Sequence, residues 1–116
     1  MDKTIRRSRA EGSVTAPSSK SYAQRAVAAA LLCEGTSTLT NMILCDDTRA
    51  ALQVAADLGA EVEAGTDGTT YTVRGGLRPH AQAIHIGESG LAARLFTPIA
   101  ALCGERITIT GQGSIL

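Results

Sequence analysis

Apolar residues recur along this chain at two spacings, and the switches between them divide it into short elements. From Lys20 to Cys33 the spacing is helical, with Ala23, Ala26, Val27, Ala30 and Leu31 on one face. Ala16-Pro17-Ser18-Ser19 sets up the start of that helix. Glu34-Gly35 is expected to end it, because only glycine takes the left-handed conformation cheaply. A second helix is predicted over Thr48 to Leu58, opened by Asp46-Asp47-Thr48 and stopped at Gly59, and a third over about Leu91 to Leu102. Between and around them lie runs with strand character. Ile5 to Thr15 reads as an irregular strand crossing Glu11-Gly12, and Thr36 to Thr40 as a short β-branched one. Ala60 to Ala64 and Thr69 to Arg74, joined by Gly65-Thr66-Asp67-Gly68, form a predicted hairpin. Gly75 to Gln82, with Pro79, is a loop; Ala83 to Ile86 and Glu105 to Thr110 complete the set.

Alternation of this kind belongs to α/β or α+β folds, with helices packed on a sheet. Leu31-Leu32-Cys33-Glu34-Gly35 and Ala101-Leu102-Cys103-Gly104-Glu105 each end a helix ahead of a Thr-rich strand, which suggests one supersecondary unit beginning a second time. The apolar share of 44% is enough for a packed core and argues against disorder. Aromatics supply only 3%, so the core must rest on close helix packing of Ala, Leu, Ile and Val. A domain of 116 residues buries a limited share of its surface, and its stability in isolation would be marginal.

Formal net charge is zero, which removes the summed basic field that nucleic acid or an anionic membrane requires. An anionic ligand must then be held by a local cluster. Cys33, Cys45 and Cys103 are irregularly spaced with no CxxC pair and no neighbouring His, a pattern unlike a zinc site. They are expected to be small buried hydrophobes in a reducing cytoplasm. Met1 to Arg9 is charged with no apolar run after it, unlike a secretory signal, and Ala26 to Cys33 is too short to span a bilayer.

The sharpest chemistry is in Ser18-Ser19-Lys20-Ser21-Tyr22-Ala23-Gln24-Arg25. A helix start exposes unpaired N–H groups and a partial positive charge, which suits an anion. Ser18 or Ser19 can cap it. Lys20 in the first turn opposes the helix dipole, and Ser21 and Arg25, four apart, project from one side. A hydroxyl, an ammonium and a guanidinium converging there would hold a phosphate or carboxylate. The plainer alternative is a serine cap with Lys20 and Arg25 merely solvated. Gly87-Glu88-Ser89-Gly90-Leu91-Ala92-Ala93-Arg94 is a second strand–turn–helix, where backbone amides near Gly90 could approach a ligand. Glu88 would repel an anion if it pointed inward. The alternative is a tight turn with Ser89 as cap and Arg94 in a surface ion pair. Asp46 and Asp47 are expected to cap the second helix, with Asp47 placed to orient a nearby cation. His80 and His85 are isolated and read as structural.

In this order, these segments resemble the 5-enolpyruvylshikimate-3-phosphate synthase (3-phosphoshikimate 1-carboxyvinyltransferase) family. The resemblance rests on Ser19-Lys20-Ser21 with Arg25 and Glu34-Gly35-Thr36-Ser37, on Asp46-Asp47-Thr48-Arg49 with Leu58-Gly59-Ala60, and on Gly87, Gly90 and Arg94. It implies transfer of an enolpyruvyl group from phosphoenolpyruvate to the 5-hydroxyl of shikimate 3-phosphate, with no metal or organic cofactor. Lys20 would contact both substrates, Ser21 and Arg25 would bind shikimate 3-phosphate, and the Gly90 backbone would lie against phosphoenolpyruvate. Both substrates are anions that need fixed donors at close range. Glu88 and Leu91 depart from the family's commoner Asn-Ala-Gly-Thr block, and Leu95 stands where a Pro is often found, changes that bear on the fit of analogues such as glyphosate.

The family fold has two domains, each of three repeated βαβαββ units, closing at a hinge. By resemblance, residues 1–19 belong to the first domain, and residues 20–116 hold one unit and the start of the next in the second. The acid/base residues would lie beyond Leu116, so the chain is expected to be inactive alone and monomeric when complete. One rival is the UDP-N-acetylglucosamine enolpyruvyl transferase family, which uses Lys-Asn near the start, whereas Lys20-Ser21 with Arg25 suits a phosphorylated shikimate. The other rival, from a different class, is a non-catalytic anion-binding module.

Overall fold

A computed structural model describes the whole chain, residues 1–116. In order come α1 (Lys20–Leu32), β1 (Thr36–Leu39), α2 (Asp46–Asp57), β2 (Glu61–Ala64), β3 (Tyr71–Arg74), β4 (Ala83–His85), α3 (Gly90–Ala101), β5 (Thr108–Thr110) and a short 3-10 turn, Gly113–Ile115. The α/β alternation matches the expectation, and each element after Pro17 lies within a few residues of its predicted bounds.

β3 is the centre of an antiparallel sheet in the order β1-β3-β2, with Thr36 and Glu61 both opposite Arg74. The β2–β3 hairpin turns on Asp67, whose Oδ1 accepts the N–H groups of Thr69 (2.9 Å) and Thr70 (2.8 Å) and whose Oδ2 takes the Thr70 hydroxyl at 2.6 Å. Those bonds, the Thr70 hydroxyl first, hold the Asp67 carboxyl below its ordinary pKa. β4 and β5 form a separate parallel pair, Ile84 opposite Ile109, with α3 as the crossover that parallel strands require.

The antiparallel sheet is covered on one face. Tyr71 and Val73 of β3 join Val27 and Leu31 of α1 and Val54 and Leu58 of α2 in a single apolar core. Phe96, the only Phe, is fully buried in α3 and belongs to that core, as do Ile84 of β4 and Ile86 after it. Each such side chain contributes roughly 1.5–3 kcal/mol by leaving water. The outer face carries Thr36, Thr38, Glu63 and the exposed Arg74–Glu61 pair at 3.5 Å, as a one-sided antiparallel sheet should.

Four expectations are corrected. Ile5 to Thr15 is not a strand: residues 1–17 are exposed and pair with no ladder, and a strand exists only where a neighbour takes its backbone groups. α1 does not stop on a left-handed Gly35; Cys33 turns to extended backbone (φ −82°, ψ 125°), and a distant segment satisfies the last carbonyls, Gly76 N–H donating to Leu31 O at 2.8 Å. Asp46 and Asp47 occupy the first turn of α2 and do not cap it. Cys45 is the cap residue; its N–H donates to Thr48 Oγ1 at 2.8 Å, and the Thr48 hydroxyl donates back to the Cys45 carbonyl at 3.0 Å. The carboxylates still complement the dipole from inside that turn. None of the cysteines is buried: Cys33 is exposed and Cys45 and Cys103 are half-buried, because each sits at a helix end where the chain turns outward.

The helix-then-strand echo at Cys33 and Cys103 is present as α1–β1 and α3–β5, but β1 pairs antiparallel and β5 parallel, so the two are not copies of one pairing.

Candidate functional site

Three helix starts meet at one end of the molecule. α1 begins at Lys20 after Ser19, whose Oγ accepts the Tyr22 N–H at 3.3 Å. Ser18 does a different job, taking the Ile43 N–H at 3.0 Å and tying the approach to α1 onto the chain after β1. α3 begins at Gly90 after Ser89, whose Oγ accepts the Ala92 N–H at 3.0 Å. Two long-range contacts bring the starts together. Lys20 Nζ reaches Asp47 Oδ2 in α2 at 2.8 Å, and the Ser89 hydroxyl donates to Gln24 Oε1 in α1 at 2.8 Å.

Helical rotation orders what α1 offers. Lys20 and Gln24 stand in one column, four residues apart, and Ser21 and Arg25 in the next, turned by about 100°. Gln24 thus lies between the Lys20 and Arg25 side chains and touches α3, carrying the start of α3 alongside the Lys20, Ser21 and Arg25 columns. Lys20 is more than half exposed, Ser21 half-buried and Arg25 exposed, and Arg25 forms no ion pair. Arg94, one turn into α3, is also exposed and unpaired, contrary to the surface ion pair considered for it. A side chain added at Gly90 would meet no heavy atom, so a ligand can approach that backbone without obstruction.

The electrostatics favour an anion. Neither α1 nor α3 carries an acidic residue of its own in its first turn, so neither helix neutralises its own positive end. α2 differs, with Asp46 and Asp47 at its start, and Asp47 is spent on Lys20. The hydrogen bond and charge of Asp47 push the Lys20 ammonium above its ordinary pKa, so it stays cationic. Glu88, the one carboxylate that could spoil the α3 start, is turned away: its Oε1 accepts the Ser114 N–H at 2.9 Å. Cys45 lies close enough to feel Lys20. Burial raises its thiol pKa, but the Thr48 hydroxyl and the N–H groups of Thr48 and Asp47 outweigh burial and bring the net value below the ordinary one.

The arrangement is a wall, not an enclosed chamber. A cavity of about 520 Å³ lies across α1 among Pro17, Tyr22, Ala26, Thr38 and Met42, and none of the four principal cavities is lined by Lys20, Ser21, Arg25 or Gly90. No group of three or more His, Cys, Asp or Glu side chains is placed to hold a metal ion. His85 is engaged locally, its Nδ1 accepting the Gly87 N–H at 3.1 Å. No helix is long and apolar enough to cross a membrane.

The sequence named Lys20, Ser21, Arg25 and Gly90 as candidates and anticipated a cation beside Asp47, which the Lys20 pair supplies, but it gave no role to Gln24. The available signal was a polar side chain next to Ala23 on the arc that the apolar spacing marks as buried.

The sequence profile of the family described as EPSP synthase (3-phosphoshikimate 1-carboxyvinyltransferase) matches residues 5–116. The 3-phosphoshikimate 1-carboxyvinyltransferase of Methanothermobacter thermautotrophicus is 36% identical over 116 residues, which cover 99% of this chain and 28% of that protein. The protein of the same description from Chlamydia caviae is 39% identical over 105 residues, covering 90% of this chain and 24% of its own. Among solved structures, EPSP synthase from Acinetobacter baumannii superposes with a TM-score of 0.70 at 29% identity, over 89% of this chain and 24% of that one. The chain thus spans 24–28% of the length of these relatives.

Proposed function

The chain belongs to the EPSP synthase family, and from that premise we propose that it supplies one wall of an enolpyruvyl-transfer site. The reaction moves the enolpyruvyl group of phosphoenolpyruvate to the 5-hydroxyl of shikimate 3-phosphate and releases phosphate. Lys20 contacts both anions, Ser21 and Arg25 hold shikimate 3-phosphate, and the Gly90 backbone lies against phosphoenolpyruvate. The observation that carries this is the joining of two helix starts with no acidic residue of their own, one bearing Lys20, Ser21 and Arg25 and the other Gly90, through the Gln24–Ser89 bond. Two bound anions must be adjacent to react, and adjacency of their binding ends is what a transferase of this class needs.

The domain reading follows from the same proposal. Residues 1–19 belong with one domain and residues 20–116 with the other, a division supported by the exposure of residues 1–17 and the core beginning in α1. The complete enzyme is a monomer of the cytoplasm. A single wall binds without turning over, since positioning needs groups from both sides of the cleft.

Titrating the chain with shikimate 3-phosphate while following the amide signals of Lys20, Ser21 and Arg25 tests the reading. Saturable shifts are expected, and none with UDP-N-acetylglucosamine. Arg25→Ala should weaken shikimate 3-phosphate by about 1.5 kcal/mol or more, the low end for a hydrogen bond to a charged group. Equal affinity in the variant, or a preference for the UDP-sugar, would reject the assignment.

A further inference from the structure

Gln24 is 1% exposed, yet it is the side chain on which the two helix starts meet. Its partner Ser89 is 3% exposed. The direction of the bonds between them is fixed. Ser89 Oγ already accepts the Ala92 N–H at 3.0 Å, so its proton goes to Gln24 Oε1 at 2.8 Å. That leaves the Gln24 amide nitrogen, with two N–H donors and no protein acceptor. No buried side-chain nitrogen or oxygen in the molecule lacks a partner, so this nitrogen keeps a narrow contact with solvent on a side chain that is otherwise enclosed. Being bonded to the same carbon as Oε1, it lies near Ser89, the cap residue that precedes Gly90, and the space at Gly90 is itself unobstructed. Reversing the amide would place its nitrogen against Ser89 and leave the hydroxyl proton with no acceptor.

A side chain buried this deeply, with its oxygen committed to the Ser89 hydroxyl, holds the two helix starts at a fixed separation. We propose that Gln24 is a positioning residue for the α3 site: through Ser89 it fixes where Gly90 stands relative to Lys20 and Arg25, and its free N–H₂ donates to the anion bound there. This rests on the reading of Gly90 as the contact for phosphoenolpyruvate. Gln24 does no bond chemistry; it sets the distance between two bound anions and adds one donor to the second.

The test follows backbone amides of the 116-residue chain during separate titrations with phosphoenolpyruvate and shikimate 3-phosphate, for the parent sequence and for Gln24→Met, Gln24→Glu and Ser89→Ala. Gln24→Met keeps length and removes every polar contact. It should weaken phosphoenolpyruvate about tenfold at Gly90 and leave shikimate 3-phosphate within about twofold at Ser21, as loss of a hydrogen bond to a charged group predicts. Unchanged phosphoenolpyruvate affinity in a folded Gln24→Met chain overturns the proposal. Should Gln24→Met unfold, Gln24→Glu decides, because it retains the oxygen for Ser89 and replaces only the N–H₂. Retained phosphoenolpyruvate binding overturns the donor role; a loss larger than the repulsion Gln24→Glu imposes on shikimate 3-phosphate, with the Ala92 N–H still protected from exchange, supports it. Ser89→Ala should broaden the Gly90 signal while the Lys20 signal holds, and equal sharpness of both rejects the coupling. A parent chain that binds shikimate 3-phosphate but not phosphoenolpyruvate rejects this inference and keeps the Lys20–Arg25 assignment. One that binds neither removes both.

Discussion

At the scale of single residues, the clearest consequences concern groups whose protonation the fold has moved. Lys20 and Asp47 are both partly in water, so their pair serves orientation more than stability. The Lys20 pKa is raised on folding, so whatever the pair contributes is complete below pH 10.5 and disappears as pH rises through the higher folded value. Replacing Asp47 with Asn should move the Lys20 Nζ titration, read from its side-chain resonances, back down towards 10.5. A midpoint that does not move would show that the ammonium is held by something else. The thiols separate in the same way. Cys45 is lowered by its hydrogen bonds despite burial, whereas burial and then the charge of Glu105 raise Cys103. Alkylation near pH 8, followed by peptide mass, should therefore modify Cys45 ahead of Cys103, since the thiolate is the nucleophile. Ser19, Lys20, Arg25 and Gly90 were legible in the sequence because helix-start chemistry is local. Gln24 was not, because its meaning lies in a partner 65 residues away.

At the scale of elements, helix bodies were legible and helix ends less so. Of the predicted α1 face, Ala23, Val27, Ala30 and Leu31 are buried and Ala26 is half-buried, and α3 covers the span expected of it although Pro98 lies inside it. The end of α1 could not be read locally, because Gly76, following β3, supplies the donor to the Leu31 carbonyl that a left-handed Gly35 would have helped supply. Gly75 N–H donates to Gly35 O at 3.0 Å, and the space where its side chain would project is filled by the carbonyls of Ala30, Leu31 and Cys33. Gly75→Ala must therefore push the hairpin off the last turn of α1. The expected loss is about 1–3 kcal/mol, the usual range for overpacking, measured by denaturant unfolding. A variant as stable as the parent would mean that β3 and α1 can shift apart freely, and the sheet-to-helix packing described above would then be too rigid a picture. The strand expected over Ile5–Thr15 failed for a related reason. Its residue pattern tolerates extended backbone, but pairing is decided by a partner, and none of β1 to β5 takes it.

At the scale of the whole molecule, a radius and a surface area both exceed what a compact chain of this length gives. The radius of gyration is 17.2 Å, against about 13 Å for a compact domain of this length. The accessible surface of 8067 Å² exceeds the roughly 6,000 Å² expected of a compact protein of 12.0 kDa. Both excesses point to residues 1–17, which are exposed throughout and whose only ion pair, Arg9–Glu11, joins two neighbours within the segment. The folded body starts at Ser18 and is held by α1, α2 and the antiparallel sheet, with β4 and β5 as a lone parallel pair at its side. Two strands make a weak sheet in water, so β4–β5 should open before β1–β3–β2 does. Removal of residues 1–15, which make none of the long-range hydrogen bonds, is expected to leave the unfolding free energy within about 0.5 kcal/mol of the parent. In the same shortened chain, amide exchange among the strand residues should be fastest in β4 and β5, at Thr108 for example, and slowest around Tyr71 and Val73, the buried residues of the central strand. If truncation instead collapses the protection of α1, the extended segment contributes to the folded body through contacts its exposure does not reveal. The boundary proposed near Ser19 would then have to move towards the start of the chain.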